Sequence, residues 1–124
     1  VILALDIGGT FIKSGVFSPE GTLRQLPQVP SRSDGSRAEI VDAMRSAIAA
    51  AGKVNAVGIA IPGPFDYRKG VSLMTHKFAA LNGVNLRSEL GLDVPCAFVH
   101  DADAFLLGEL GFGDLRGVSR AGAV

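Results

Sequence analysis

Net charge is the first thing this chain lacks. Twelve basic and twelve acidic side chains cancel across its 124 residues. That balance leaves no electrostatic footprint for nucleic acid or an anionic membrane surface, and neither is expected as a partner. Tryptophan is absent, tyrosine occurs once, and Cys96 is the lone cysteine. One thiol excludes an internal disulfide and fits a reducing compartment, so a cytoplasmic protein is expected. No uninterrupted apolar run approaches the roughly 20 residues of a spanning helix. Methionine and a basic leader are missing at the start, where Val1 already opens a strand-like run. Either the ends were trimmed or the chain is part of a larger protein.

Two familiar phosphate signatures are missing as well. A P-loop requires G-x-x-x-x-G-K-[ST] opening a helix, but Gly8-Gly9-Thr10 is followed by β-type residues. A dinucleotide fingerprint requires G-x-G-x-x-G at a strand–helix junction, and the chain has none.

The composition that is present, 48% hydrophobic and 19% charged, is globular. A single domain over 1–124 is expected, long enough to bury roughly two-thirds of its unfolded surface. Val1 to Ile7 reads as a strand covered on both faces, and Phe11 to Phe17 as the second strand of a hairpin. Leu23 to Val29 is a third strand that Pro27 and Pro30 demote to an edge or an irregular exit. The clearest helix covers 37–52: Ser36 and Glu39 make an S-x-x-E capping box, and Gly52 stands where a glycine cap belongs. Its apolar stripe is Ile40, Val41, Met44, Ala47, Ile48 and Ala51. Asn55 to Ile61 is a buried strand ending at Pro62-Gly63-Pro64, and a turn over 65–70 leads to a short strand, Val71 to Met74. Residues 75–84 read as irregular, Asn85 caps a short helix through Leu90, and Val94 to Val99 is the last strand. A helix ending near Gly111 follows. Strands separated by helices predict an α/β fold, a mixed sheet with parallel neighbours.

Three places carry chemistry. In Asp6-Ile7-Gly8-Gly9-Thr10 an acid and two glycines separate two apolar strands. Glycines let backbone N–H groups approach an anion closely, and Thr10 adds a hydroxyl. Asp6 would repel that anion unless a divalent cation lay between them. The plain alternative is a tight turn with a solvated acid. Asp101 follows the last strand and precedes a helix, where open α/β sheets bind ligands. A carboxylate there can accept the proton of a hydroxyl attacking phosphorus. The alternative is that Asp101 or Asp103 caps the helix, and one cap leaves the other carboxylate over. The third place, "GIAIPGPFD" (58–66), is a stiff loop exposing backbone to a small ligand, or a plain turn. Cys96 reads as a core residue.

In this order and spacing, DIGGT, GIAIPGPFD and HDADAFLLGE resemble the ROK family (repressor, open reading frame, kinase), and the resemblance covers essentially all 124 residues. DIGGT alone is shared across the wider sugar-kinase and actin-like superfamily; the other two motifs narrow it. The resemblance implies an actin-like ATPase (ribonuclease-H-like) fold, with this chain as the N-terminal lobe of a two-lobed sugar kinase, glucokinase-like and homodimeric when complete. It implies that Asp6, Gly8, Gly9 and Thr10 meet the ATP phosphates, with Asp6 acting on Mg²⁺. Asp101 matches the base that activates the sugar hydroxyl, and Gly63 a loop glycine lying against the sugar. His100 stands where the family usually has a sugar-binding asparagine, Asp103 replaces a second asparagine, and His76 is placed in the loop where a third is usual. The C-terminal lobe, with a second phosphate motif and a cysteine-rich zinc motif, would follow residue 124. The chief rival is a sugar-sensing regulator of the same family, which carries a helix-turn-helix before the first strand. A non-catalytic lobe, its helix 101–111 covered by a partner, is the third reading.

Overall fold

Alternation of buried and exposed side chains along the first apolar run sets the architecture. In the computed structural model, which describes residues 1–100, Ile2–Ile7 forms β1, Phe11–Phe17 β2 and Leu23–Pro30 β3. Arg37–Ala50 forms α1 and Ala56–Ile61 β4. Phe65–Asp66 (β5) and Val71–Ser72 (β6) make a two-stranded hairpin. A 3₁₀ turn at Ala79–Leu81, helix α2 at Leu86–Leu90 and strand β7 at Cys96–His100 complete the described chain.

The main sheet runs β3-β2-β1-β4-β7. β1 pairs antiparallel with β2 and parallel with β4, and β4 pairs parallel with β7. The expected mixed sheet, begun by a hairpin, is therefore present. Proline puts β3 at the edge, as expected, and breaks its register. Between the pairs Ile12–Val29 and Ser14–Leu26, Pro27 and Gln28 together oppose Lys13 alone, which is a β-bulge.

Residues alternating along the strands split the sheet into two faces. One face offers Leu3, Leu5, Ile7, Ile12, Val57, Ile59, Ile61 and Phe98 to the stripe Ile40, Val41, Met44 and Ala47 of α1. Each such large side chain contributes about 1.5–3 kcal/mol by leaving water. Across the other face Gly15, Ala4, Gly58 and Ala97 make one register row of small residues.

α1 starts where expected. Ser36 Oγ accepts the Glu39 N–H at 3.2 Å, and Glu39 Oε1 accepts the Ser36 N–H at 2.9 Å. Its end falls at Ala50, with Ala51 as the C-cap and Gly52 following at φ +73°. Asn85 caps α2 by accepting the Ser88 N–H at 3.0 Å. Two strand limits differ from the sequence expectation by two residues, the others by one at most. β7 begins at Cys96 because Pro95 has no N–H for the ladder, though its carbonyl still accepts from Val57 at 2.9 Å. β6 ends at Ser72 because Leu73 N–H turns to the Pro64 carbonyl at 3.1 Å and Met74 N–H to Ser72 Oγ at 3.2 Å.

Candidate functional site

Parallel strands β1, β4 and β7 end on the same side of the sheet, so three loops meet there. Asp6 is level with Ala60, and Ala60 with Val99. One residue further, Ile61 is level with His100. The hairpin Gly8–Thr10, the Pro62–Pro64 loop and the end of β7 thus share one edge, the place where open α/β sheets bind ligands.

The two hairpin glycines serve different ends. Gly8 N–H donates to the Phe11 carbonyl at 3.0 Å. A Cβ on Gly8 would stand 2.8 Å from that carbonyl oxygen, so the closed turn itself requires glycine there. Gly9 has nothing within 4 Å of such a Cβ, and neither residue takes a left-handed φ. Neither backbone shape nor crowding demands glycine at 9; the bare backbone there is open to something outside the chain. Asp6 and Thr10 are exposed beside it. From the other side, residues 31–35 hold the turn: Ser31 N–H donates to Thr10 O at 3.0 Å and Ser33 Oγ to Gly9 O at 2.6 Å.

At the end of β4, Tyr67 ties three residues together. Its hydroxyl donates to the Ile61 carbonyl at 2.9 Å, its ring lies 5.1 Å from that of Phe65, and it meets the His100 ring edge-on at 6.0 Å. A Cβ on Gly63 would come within 3.3 Å of the Tyr67 hydroxyl and 3.9 Å of His100 Cδ2. Gly63 and His100, expected to serve one sugar, are therefore neighbours. His76 is exposed on the loop after β6 and makes no hydrogen bond or ring contact with them. Asp101 and Asp103, the expected base and its companion, and the helix ending near Gly111 lie outside the described residues.

Sequence reasoning missed Tyr67, Ser33 and Lys13. Lys13 is exposed and in register with Asp6. Only Tyr67 carried a signal, as the single tyrosine, placed just after Pro-Gly-Pro. Cys96 behaves as expected of a packed thiol: burial pushes its pKa up to about 11, with the Arg87 guanidinium only partly opposing. Among the described residues no cluster of three metal-ligating side chains occurs. Asp6 offers one carboxylate beside the open Gly9 backbone, a set that fits Mg²⁺, which commonly takes one or two carboxylates plus phosphate oxygens.

A profile of the ROK family matches residues 2–121. The chain belongs to the ROK family. Among curated relatives it is 33% identical over 111 residues to a β-glucoside kinase of Klebsiella pneumoniae, covering 87% of this chain and 37% of that protein. It is 35% identical over 109 residues to an N-acetyl-D-glucosamine kinase of Citrobacter koseri, covering 84% and 36%. The ROK family glucokinase of Streptomyces griseus, solved with glucose and AMPPNP, superposes with a TM-score of 0.74 at 30% identity, covering 90% of this chain and 36% of that one. The fold is accordingly the actin-like ATPase α/β fold, and this ROK chain spans little more than a third of the relatives it matches. No helix among the described residues is long and apolar enough to cross a membrane.

Proposed function

We propose that residues 1–124 are the N-terminal lobe of a ROK sugar kinase that transfers the γ-phosphoryl group of ATP to a sugar hydroxyl. One observation carries this reading: the bare Gly9 backbone beside Asp6 shares a sheet edge with the Gly63–Tyr67–His100 cluster. An anion-holding turn beside groups that can meet a neutral polar ligand is what phosphoryl transfer needs. The kinase relatives and the AMPPNP-bound glucokinase support the same assignment.

Bound Mg-ATP supplies the transferable group and a cation that neutralises it. The chain does the rest. Backbone N–H groups at Gly9 and Thr10, with the Thr10 hydroxyl, hold phosphate oxygens, while Asp6 orients the cation directly or through water. Gly63 lets the sugar approach the loop backbone, and His100, braced by Tyr67, offers a ring nitrogen to its hydroxyls. Asp101, next after His100, accepts the hydroxyl proton as the new bond forms. Closure against a C-terminal lobe excludes water from the transfer. Hexoses and N-acetylhexosamines are the substrate class. Histidine in place of the usual asparagine at position 100 shapes the choice among them.

The test is an ATP-coupled screen of hexoses and N-acetylated hexosamines with the complete protein. Asp101→Asn should keep sugar binding and lose nearly all turnover. A variant that retains most of its activity removes Asp101 as the base, and a screen in which no sugar is phosphorylated removes the kinase.

A further inference from the structure

We propose that residues 31–35 form a strap that presets the phosphate hairpin, and that Ser33 is its positioning residue. The inference rests on the kinase reading of the hairpin. A trans peptide is planar, so its C=O and the following N–H point in opposite directions. Ser33 Oγ holds the Gly9 carbonyl at 2.6 Å. That grip turns the Thr10 N–H away from the strap, and this N–H has no partner among the described residues. The Ser31 N–H, 3.0 Å from the Thr10 carbonyl, ties the next peptide plane in the same manner.

The strap is itself braced. Gly35 N–H closes back on the Arg32 carbonyl at 2.8 Å, and the Ser36–Glu39 capping box fixes its far end to α1. A Cβ at Gly35 would stand 3.0 Å from both Arg32 O and Glu39 Oε1, so a side chain there would crowd the turn. Arg32 takes a left-handed φ of +57°, a strained conformation for a non-glycine residue. At the near end Ser31 is fully buried, and its Oγ has no hydrogen-bond partner among the described residues. The loop thus holds a strained turn and a buried hydroxyl unpaired among the described residues while delivering two hydrogen bonds to the hairpin.

Gly8-Gly9 needs such help. Glycine loses more backbone freedom on ordering than any other residue, and ordering at the moment of binding subtracts from affinity. A hydroxyl that fixes the Gly9–Thr10 plane beforehand removes part of that cost. Its effect should therefore appear in nucleotide binding and leave the sugar side untouched.

The experiment compares the complete protein with Ser33→Ala and Ser33→Thr. It measures AMPPNP affinity by calorimetry with Mg²⁺, KM for ATP and for the sugar, and thermal melting. Losing one neutral hydrogen bond predicts that Ser33→Ala raises both the AMPPNP Kd and the KM for ATP about threefold to tenfold. The sugar KM should stay within about twofold, and Ser33→Thr, which keeps the hydroxyl, should restore nucleotide affinity. Nucleotide constants within about twofold of the parent's in Ser33→Ala overturn the strap, as does an equal rise in both KM values. A lower melting temperature in Ser33→Ala with no rescue of affinity by Ser33→Thr overturns it too. If the parent binds AMPPNP but phosphorylates no sugar, the kinase fails while the calorimetry still decides the strap. A parent that binds no AMPPNP refutes both.

Discussion

Asp6 and Lys13 stand opposite each other across the first hairpin, in register and on one face of the sheet. Opposite charges so placed ordinarily attract, yet these two form no ion pair; the ion pair among the described residues joins Arg37 and Glu89 at 3.9 Å. The neighbouring strand is irregular at the same level. Pro27 and Gln28 bulge out opposite Lys13, and a bulge bends a strand and increases its twist. An ammonium and a carboxylate held apart at one strand end can serve a phosphate and its cation at once.

Lys13→Ala should therefore raise the KM for ATP of the complete protein about tenfold, the worth of one charge-assisted contact. The sugar KM should not move, and Lys13→Arg should recover most of the loss. Initial rates with each substrate varied in turn measure this, and an unchanged KM for ATP would remove Lys13 from the site.

Sequence was informative where chemistry is local. The hairpin strands, the Ser36–Glu39 box and the Asn85 cap follow from neighbours a few residues apart. Pro27 and Pro30 marked β3 as an edge because a missing N–H tells against a central strand. Apolar runs fixed less. "VPCAFV" gave a strand but not its start, which depends on how Pro95 meets Val57 across the sheet. Ser33 lies 24 residues from Gly9, and the Asp6–Lys13 register exists only once β1 and β2 pair. The Gly63–His100 proximity was an expectation from family resemblance. The Tyr67 side chain that joins them became visible only in the folded chain.

Ser36 tests the strap's far anchor through stability alone. Ser36→Ala removes the acceptor for the Glu39 N–H and leaves only the other half of the box, the backbone N–H of position 36 donating to the Glu39 carboxylate. Lost caps of this kind cost about 1 kcal/mol. Denaturant unfolding should show that loss with an unchanged m-value. Stability equal to the parent's would mean that the Ser36 hydroxyl contributes nothing measurable to the cap.

Cys96 makes a prediction about pH. Burial disfavours the thiolate and raises its pKa to about 11, so at pH 8 only about one thiol in a thousand is ionised and reactive. The folded protein should react with an aromatic disulfide reagent at least about tenfold more slowly than the same protein in guanidinium. The rate should climb steadily as pH rises from 8 toward 10. A rate already level by pH 8 would mean a low-pKa thiol and would reopen a chemical role for Cys96.

Gly8 and Gly9 offer the sharpest division between fold and function, because the two adjacent glycines are needed for different reasons. A methyl group at Gly8 meets the Phe11 carbonyl at 2.8 Å, so Gly8→Ala must open the turn that joins β1 to β2. Overpacking of that order costs about 1–3 kcal/mol, and the melting temperature should fall accordingly. At Gly9 the same methyl meets nothing within 4 Å of its Cβ and needs no left-handed backbone. Gly9→Ala should therefore melt with the parent, within about 0.5 kcal/mol. Its methyl would occupy the space through which a phosphate reaches the hairpin N–H groups, so AMPPNP affinity should drop about tenfold or more, by loss of contacts worth about 1.4 kcal/mol or above. Calorimetry and melting on the same two variants separate the alternatives. If Gly9→Ala binds nucleotide normally, the open backbone beside Asp6 is a turn and nothing more, and phosphate must be held elsewhere.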